Sequence, residues 1–421
     1  MVETSFRNAK SNATLLVGYK AVADLAGKGV LFLITIAAAR RLAPAAFGVF
    51  SLATTLGWML AVASDFGIQL HVARGVARQP SRAAAMLTTW LRVRVWTTAG
   101  AIGVVMLGLI AARASAAIAV PMLLFALVYG GGGLIEFLHY FYRGLSRSDV
   151  ESSLILGQRL ATLALGLAAL AWRPSVSALA MAMLIPVAGT LLLSLRLAQR
   201  ITPAPSLESR IPTPDSFLRD VFPIGAGIVL SALYFRIDVF LVEWWRGTEA
   251  VAWYNAVFRL IEALRLFPAA VLAVMLPDLV RARDRGPLLR IAAGVTLFAI
   301  AVSVAVWLTA DILIPLVYGR AYAPAVPAFR ILALTFPLLS LNYALTHQLV
   351  AWGGQRTYAV LCGMALAVNL ALNATLIPAA SIEGAAWATV GTELFLTLGC
   401  VWALASRGAA ATDVAAAGIL A

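Results

Sequence analysis

Twelve apolar stretches, each 20 to 27 residues long, succeed one another along the chain. They fall at roughly 15–39, 45–66, 87–111, 116–141, 152–171, 177–198, 218–243, 250–276, 288–310, 324–348, 357–377 and 383–405. About 20 apolar residues in a helix cross the hydrocarbon of a bilayer, so each stretch is one crossing long. Hydrophobic residues make up 62% of the 421, a share that no single soluble core could cover. The reading is an all-α polytopic membrane protein with about twelve transmembrane helices.

Loop charges orient it. Of the 32 Lys and Arg residues, 17 lie in connections on the side of the N-terminus, from Arg7 and Lys10 to Arg407. Six lie opposite: Arg40, Arg41, Arg113, Arg173, Arg246 and Arg320. Cytoplasmic loops collect basic residues, so both termini are expected in the cytoplasm. The same bias accounts for the net charge of +13, and no basic run with interleaved aromatics points to nucleic acid as a partner. Cys362 and Cys400 sit inside apolar runs and read as core thiols, leaving no metal site and no catalytic group. The first apolar run is too long and too charged for a cleavable signal peptide.

The longest interior connection holds Pro203, Pro205, Pro212 and Pro214 and reads as a stiff cytoplasmic linker, 201–217. It divides an N-terminal six-helix lobe (1–200) from a C-terminal one (218–408), followed by a cytoplasmic tail (409–421). Six spans is an even number, so the two lobes are expected as parallel repeats. The joint after span one, Leu42 to Phe50, corresponds to Gly247 to Tyr254 after span seven, with Phe50 matching Tyr254. Likewise Arg143-Gly144-Leu145-Ser146-Arg147 corresponds to Trp352-Gly353-Gly354-Gln355-Arg356, at offsets of 204 and 209 residues.

Charges inside the spans carry the functional reading. Lys20, Asp24 and Lys28 stand at i, i+4 and i+8, one stripe of a helix. Each charge at the middle of a span costs about 2.5–3.5 kcal/mol, so the stripe is expected to face protein or a hydrated central cavity. Arg236 and Asp238 lie two apart in span seven, on opposite helix faces, and each needs its own partner. Span eight carries Arg259, Glu262 and Arg265, span five Arg159, and span twelve Glu393. A ladder of cations at several depths suits an anionic headgroup in transit. The rival reading makes them structural ion pairs, Arg236 meeting a carboxylate of span one or eight. Arg92, Arg94 and Arg330, near span ends, are expected to snorkel. Gly130 to Gly133 are expected to serve close helix packing. Pro186, Pro223, Pro268, Pro277, Pro315 and Pro337 mark kinks or ends.

Three stretches together resemble the polysaccharide or O-antigen flippases of the multidrug/oligosaccharidyl-lipid/polysaccharide exporter superfamily. Arg41-Leu42-Ala43-Pro44-Ala45-Ala46-Phe47-Gly48 is similar to that family's elbow after helix one. Asp65-Phe66-Gly67-Ile68, followed by Arg74, resembles its segment ending helix two. Tyr234-Phe235-Arg236-Ile237-Asp238, then Ala252-Trp253-Tyr254-Asn255-Ala256 and Pro277, is similar to its helix seven and eight pattern. The resemblance implies two lobes around a central cavity that opens alternately to either side of a bacterial cytoplasmic membrane. It implies an undecaprenyl-diphosphate-linked oligosaccharide as substrate. It also marks Asp65, Arg236 and Asp238 as family hallmarks.

The charge argument adds Lys20, Lys28, Arg159, Arg236, Arg259 and Arg265 as the substrate-binding cations. Asp24, Asp65, Asp238 and Glu262 are the residues that take a coupling H⁺ or Na⁺, the only cofactor expected. The expected partners are the lipid-linked oligosaccharide, membrane lipids and other polysaccharide-assembly proteins. Two alternatives stand beside a flippase. One is a cation-coupled multidrug exporter, which would want an acidic, aromatic cavity. The other is a membrane glycosyltransferase, polymerase or ligase, which would want longer outer loops and a carboxylate metal motif.

Overall fold

The computed structural model describes residues 19, 23, 25–202, 214–268, 270–271, 286–352 and 354–417; at 214–221, 223–224, 286–289, 351 and 407–417 it describes the backbone alone. Among them all regular structure is helical. The chain divides into two compact units, Met1–Gly225 and Ala226–Ala421. Most of the proline-rich connection (203–213) lies outside the described residues, as does Pro277.

In the first unit the helices are α1 (25–41), α2 (Pro44–Asp65), α3 (Ile68–Arg78), α4 (Ala83–Ala111), α5 (Ala116–Gly144), α6 (Ser148–Trp172) and α7 (Val176–Ile201). Pro44 opens α2 behind an extended Ala43 (φ −62°, ψ 150°), where its missing N–H costs nothing. At the far end Phe66 and Gly67 both turn left-handed, at φ 45° and 84°. The Asp65 carboxylate accepts from the N–H of Gly67 at 3.0 Å and of Gln69 at 3.2 Å. One side chain therefore closes α2 and starts α3. The connection between spans two and three is thus a helix and not the loop expected from hydropathy. Ile68, Val72 and Val76, spaced at four, bury one face of α3 while Arg74 and Arg78 stay outside. That face joins the unit's core, made with Trp90, Phe137, Phe141 and Tyr142.

α5 runs unbroken through Gly130 to Gly133. A Cβ on Gly131 would come within 2.7 Å of Val187 on α7, and one on Gly130 within 3.0 Å of Thr98 on α4. The glycines admit neighbouring helices, as expected; they do not bend α5. Pro186 and Pro315 likewise lie inside continuous helices.

In the second unit the elements are the greater part of α8 (Pro214–Leu264), α9 (Gly286–Tyr318), a 3₁₀ turn (Arg320–Ala325), α10 (Val326–Ala333), α11 (Thr335–Ala351) and α12 (Gln355–Ala417). Two of these are hairpins. α8 is non-helical at Gly247 (φ 81°, ψ 176°), a conformation open to glycine. Arg236 and Asn255 would stand about 28 Å apart on a straight helix. Instead they are hydrogen-bonded at 2.6 Å, so the chain reverses at Gly247. α12 breaks at Ala380 and Ser381. Asn369 and Thr392 meet at 3.1 Å across that break. Arg246 donates to the carbonyls of Ile377 and Pro378, tying one turn to the other. A guanidinium there also meets the negative end of a helix.

Eight described helices are long and apolar enough to cross a membrane, and the pair Arg320–Ala333 and Thr335–Val350, bent by 42°, makes a ninth crossing. α8 and α12 each supply two arms, and with α1 the total reaches twelve. Trp172, Trp244 and Trp402 are largely exposed, as lipid-facing aromatics are. The joints paired by the sequence repeat, at Leu42–Pro44 and Gly247 and at Leu145–Arg147 and Trp352, all fall between consecutive helical arms.

Candidate functional site

Lys20 and Asp24 lie outside the described residues. The other sequence-derived cations divide into those that the fold neutralises and those that it leaves without an ion pair.

In the second unit the neutralised charges are knotted across the α8 hairpin. Arg236, 2% exposed, donates to Asn255 Oδ1 and lies 4.8 Å from the Phe258 ring centroid, with Glu262 Oε1 at 3.9 Å. Glu262 also accepts from Arg259 at 2.8 Å. Asp238, as the two-residue spacing requires, points elsewhere. It accepts from the Tyr254 hydroxyl and the Val239 N–H, and the Tyr254 and Thr389 hydroxyls are 3.1 Å apart. Arg236 thus meets a carboxylate of the span-eight arm, as the ion-pair reading has it. Arg265, from the same arm, lies 4.6 Å from the Phe235 ring centroid and forms no ion pair among the described residues.

In the first unit Asp65 faces Arg94, its Oδ1 at 3.6 Å from the guanidinium Nε. Arg94 is fully buried and donates to Ser64 Oγ at 3.2 Å and to the Gly133 carbonyl at 3.3 Å. It does not snorkel, contrary to expectation, because the end of α2 places the Asp65 carboxylate and the Ser64 hydroxyl beside it. Arg330 does stay accessible and pairs with Asp311, and Arg92 is exposed. A further cluster went unread: Arg143 on α5 holds Glu151 of α6 with contacts of 2.5 to 3.0 Å and reaches Glu136 at 3.4 Å. The acid lies eight residues beyond the arginine, past a turn, where helical periodicity gives no signal.

Lys28 and Arg159 form no ion pair among the described residues. A Cβ on Gly27 of α1 would lie 3.4 Å from Arg159 Nε of α6, so these two cations come from adjoining surfaces, one exposed and one half-buried. Spans thus deliver Lys28, Arg159 and Arg265 with no ion pair among the described residues, and such cations are the type of group that binds phosphate. Among the described residues no group of three His, Cys, Asp or Glu side chains could hold a metal ion. Cys362 and Cys400 are buried free thiols.

A family model described as polysaccharide biosynthesis protein matches residues 17–283, more than half of the chain. No curated protein matches the sequence. Solved structures share the fold, three of them as follows. An inward-facing multidrug resistance MATE family transporter of the MOP superfamily superposes with a TM-score of 0.69 at 15% identity, over 90% of this chain and 94% of its own. The lipid II flippase MurJ, in an inward closed conformation, gives 0.63 at 14% identity over 91% and 87%. A MOP superfamily transporter from Pyrococcus furiosus, described as having a binding pocket of reversed polarity, gives 0.61 at 14% identity over 94% and 96%. All three are similar in architecture: multi-pass helical carriers.

Proposed function

The chain belongs to the polysaccharide biosynthesis protein family, and from that premise we propose that it is a flippase for an undecaprenyl-diphosphate-linked oligosaccharide. It works by alternating access in a bacterial cytoplasmic membrane, with both termini on the cytoplasmic side. It carries its substrate and catalyses no covalent change. The prenyl tail stays in lipid, the sugars travel in water, and basic side chains receive the diphosphate.

One observation carries the substrate class: Lys28, Arg159 and Arg265 sit in spans with no ion pair among the described residues, although an uncompensated charge there is costly. A diphosphate accepts from such donors in short, charge-assisted bonds of about 1.5–3 kcal/mol each. Arg236 and Arg259 are held by Glu262 within the second unit.

The test is reconstitution in vesicles with a fluorescent polyprenyl-diphosphate sugar, scoring its transfer between leaflets. The triple variant Lys28→Gln, Arg159→Gln, Arg265→Gln leaves the ion-paired core intact. Its transfer rate should fall at least about tenfold, the equivalent of one lost contact. Unchanged transfer by a folded triple variant would remove the cationic path. An exporter of cationic drugs would instead show drug efflux that these substitutions leave intact or raise.

A further inference from the structure

The second unit contains a buried acid that the reading above does not use. Glu393 lies on the second arm of α12, about 18 Å along the helix from the break at Ser381. That is near the middle of a hydrocarbon layer of about 30 Å. Its exposure is 2%. Its carboxyl accepts from Asn342 Nδ2 on α11 at 2.7 Å. The same nitrogen is 3.0 Å from the Glu393 backbone carbonyl. A carbonyl oxygen needs a donor, so the amide's orientation is settled, and a neutral N–H faces the acid.

Among the described residues, four titratable or charged groups act on it. α8 contributes Tyr234 from its first arm and Arg265 from its second, and α12 contributes Cys362 and Cys400. The one cation of this set, Arg265, is drawn over the Phe235 ring. Among the described residues no ion pair reaches Glu393. An ionised carboxylate so placed is far costlier to bury than the neutral acid, which needs only the hydrogen bond it has. A hard cation would need several oxygen ligands. Here the carboxyl meets an amide N–H, and the oxygens beside it, Asn342 Oδ1 and the Glu393 carbonyl, already accept from the Thr397 hydroxyl at 2.7 and 2.8 Å.

We propose that Glu393 holds an exchangeable proton in the bilayer interior and is the proton-binding site of the transport cycle. The step is protonation alone: a proton from water joins one carboxylate oxygen, and its return to water restores the carboxylate. This rests on the transport reading, and the measurement below does not need that substrate.

The experiment is pH-step infrared difference spectroscopy on the full-length protein in lipid nanodiscs, with no substrate added. The native protein should show the C=O stretch of a protonated carboxyl that shifts in D₂O and titrates while the protein is folded. Glu393→Gln should lose that band and keep the native melting temperature. A band that survives in Glu393→Gln would overturn the proposal, as would one unchanged at every pH, the mark of a permanent structural acid. Sodium-22 binding abolished by Glu393→Gln would overturn it in favour of a metal cation. In proteoliposomes a pH gradient should speed lipid transfer by the native protein and not by Glu393→Gln. A titrating band together with absent lipid transfer would refute the flippase reading and leave the proton site standing.

Discussion

Arg94 and Arg236 are both sealed from solvent, at 0% and 2% exposure, yet their surroundings differ in kind. Arg94, within α4, stands against the end of α2. Its carboxylate partner, Asp65, already accepts two backbone N–H groups, and the oxygens it binds belong to Ser64 and Gly133. Arg236 stands within the helical arms of a hairpin. Its acid, Glu262, is shared with Arg259, and the neighbouring Asp238 leans on Tyr254. The first arrangement fixes the joint of two helices. The second fixes the closure of two arms, and removing one member leaves the others short of a partner. An intramembrane charge is therefore not automatically a transport residue; what the fold leaves uncommitted is more informative than what it buries.

That contrast is measurable. The largest effect should come from Arg236→Met, which leaves Glu262 short of a cation and should cost about 3–5 kcal/mol of stability. Arg94→Met should cost less, about 1–3 kcal/mol, because Asp65 keeps its backbone donors. Melting of both variants in the same detergent decides it, and equal losses would break the comparison. Next in size, Tyr254→Phe removes the hydroxyl that donates to Asp238 and should cost about 1–3 kcal/mol. Tyr142→Phe in the first unit loses a 2.5 Å bond to the Ser194 carbonyl, a neutral acceptor. It should cost only about 1 kcal/mol. The same melting experiment reads both. The smallest effect is at the glycine run. Nothing lies within 4 Å of a Cβ on Gly132, so Gly132→Ala should stabilise α5 by up to about 1 kcal/mol. Gly131→Ala, pressed against Val187, should gain nothing or lose. A gain at both would show that helix packing there is looser than the geometry states.

Much of this fold is legible in the sequence, because apolar length alone marks a crossing. The joints are legible as well: Pro44 and Gly247 are residues whose backbone preferences end one arm or begin the next. Pairings across the joints are another matter. Nothing local links Arg236 to Asn255, 19 residues on, or Arg94 to Asp65, 29 residues back; both depend on a reversal whose direction hydropathy does not record. Arg94 was misread for that reason, since a cation near a span end looks free to reach the interface until a neighbouring helix break brings an acid to it. Asp65 was recognisable as a hallmark but not as a cap. α3 escaped because a short amphipathic helix of 11 residues has too little apolar length to register as a span.

The reversal at Gly247 also bears on how the chain is made. An arm carrying both Arg236 and Asp238 would partition poorly on its own, at about 2.5–3.5 kcal/mol per charge. Its compensating partners, Asn255, Tyr254 and Glu262, emerge from the ribosome only after the turn. The two arms must therefore enter the lipid as a single folded hairpin, and a nascent chain stopped at Gly247 should leave the first arm outside the bilayer.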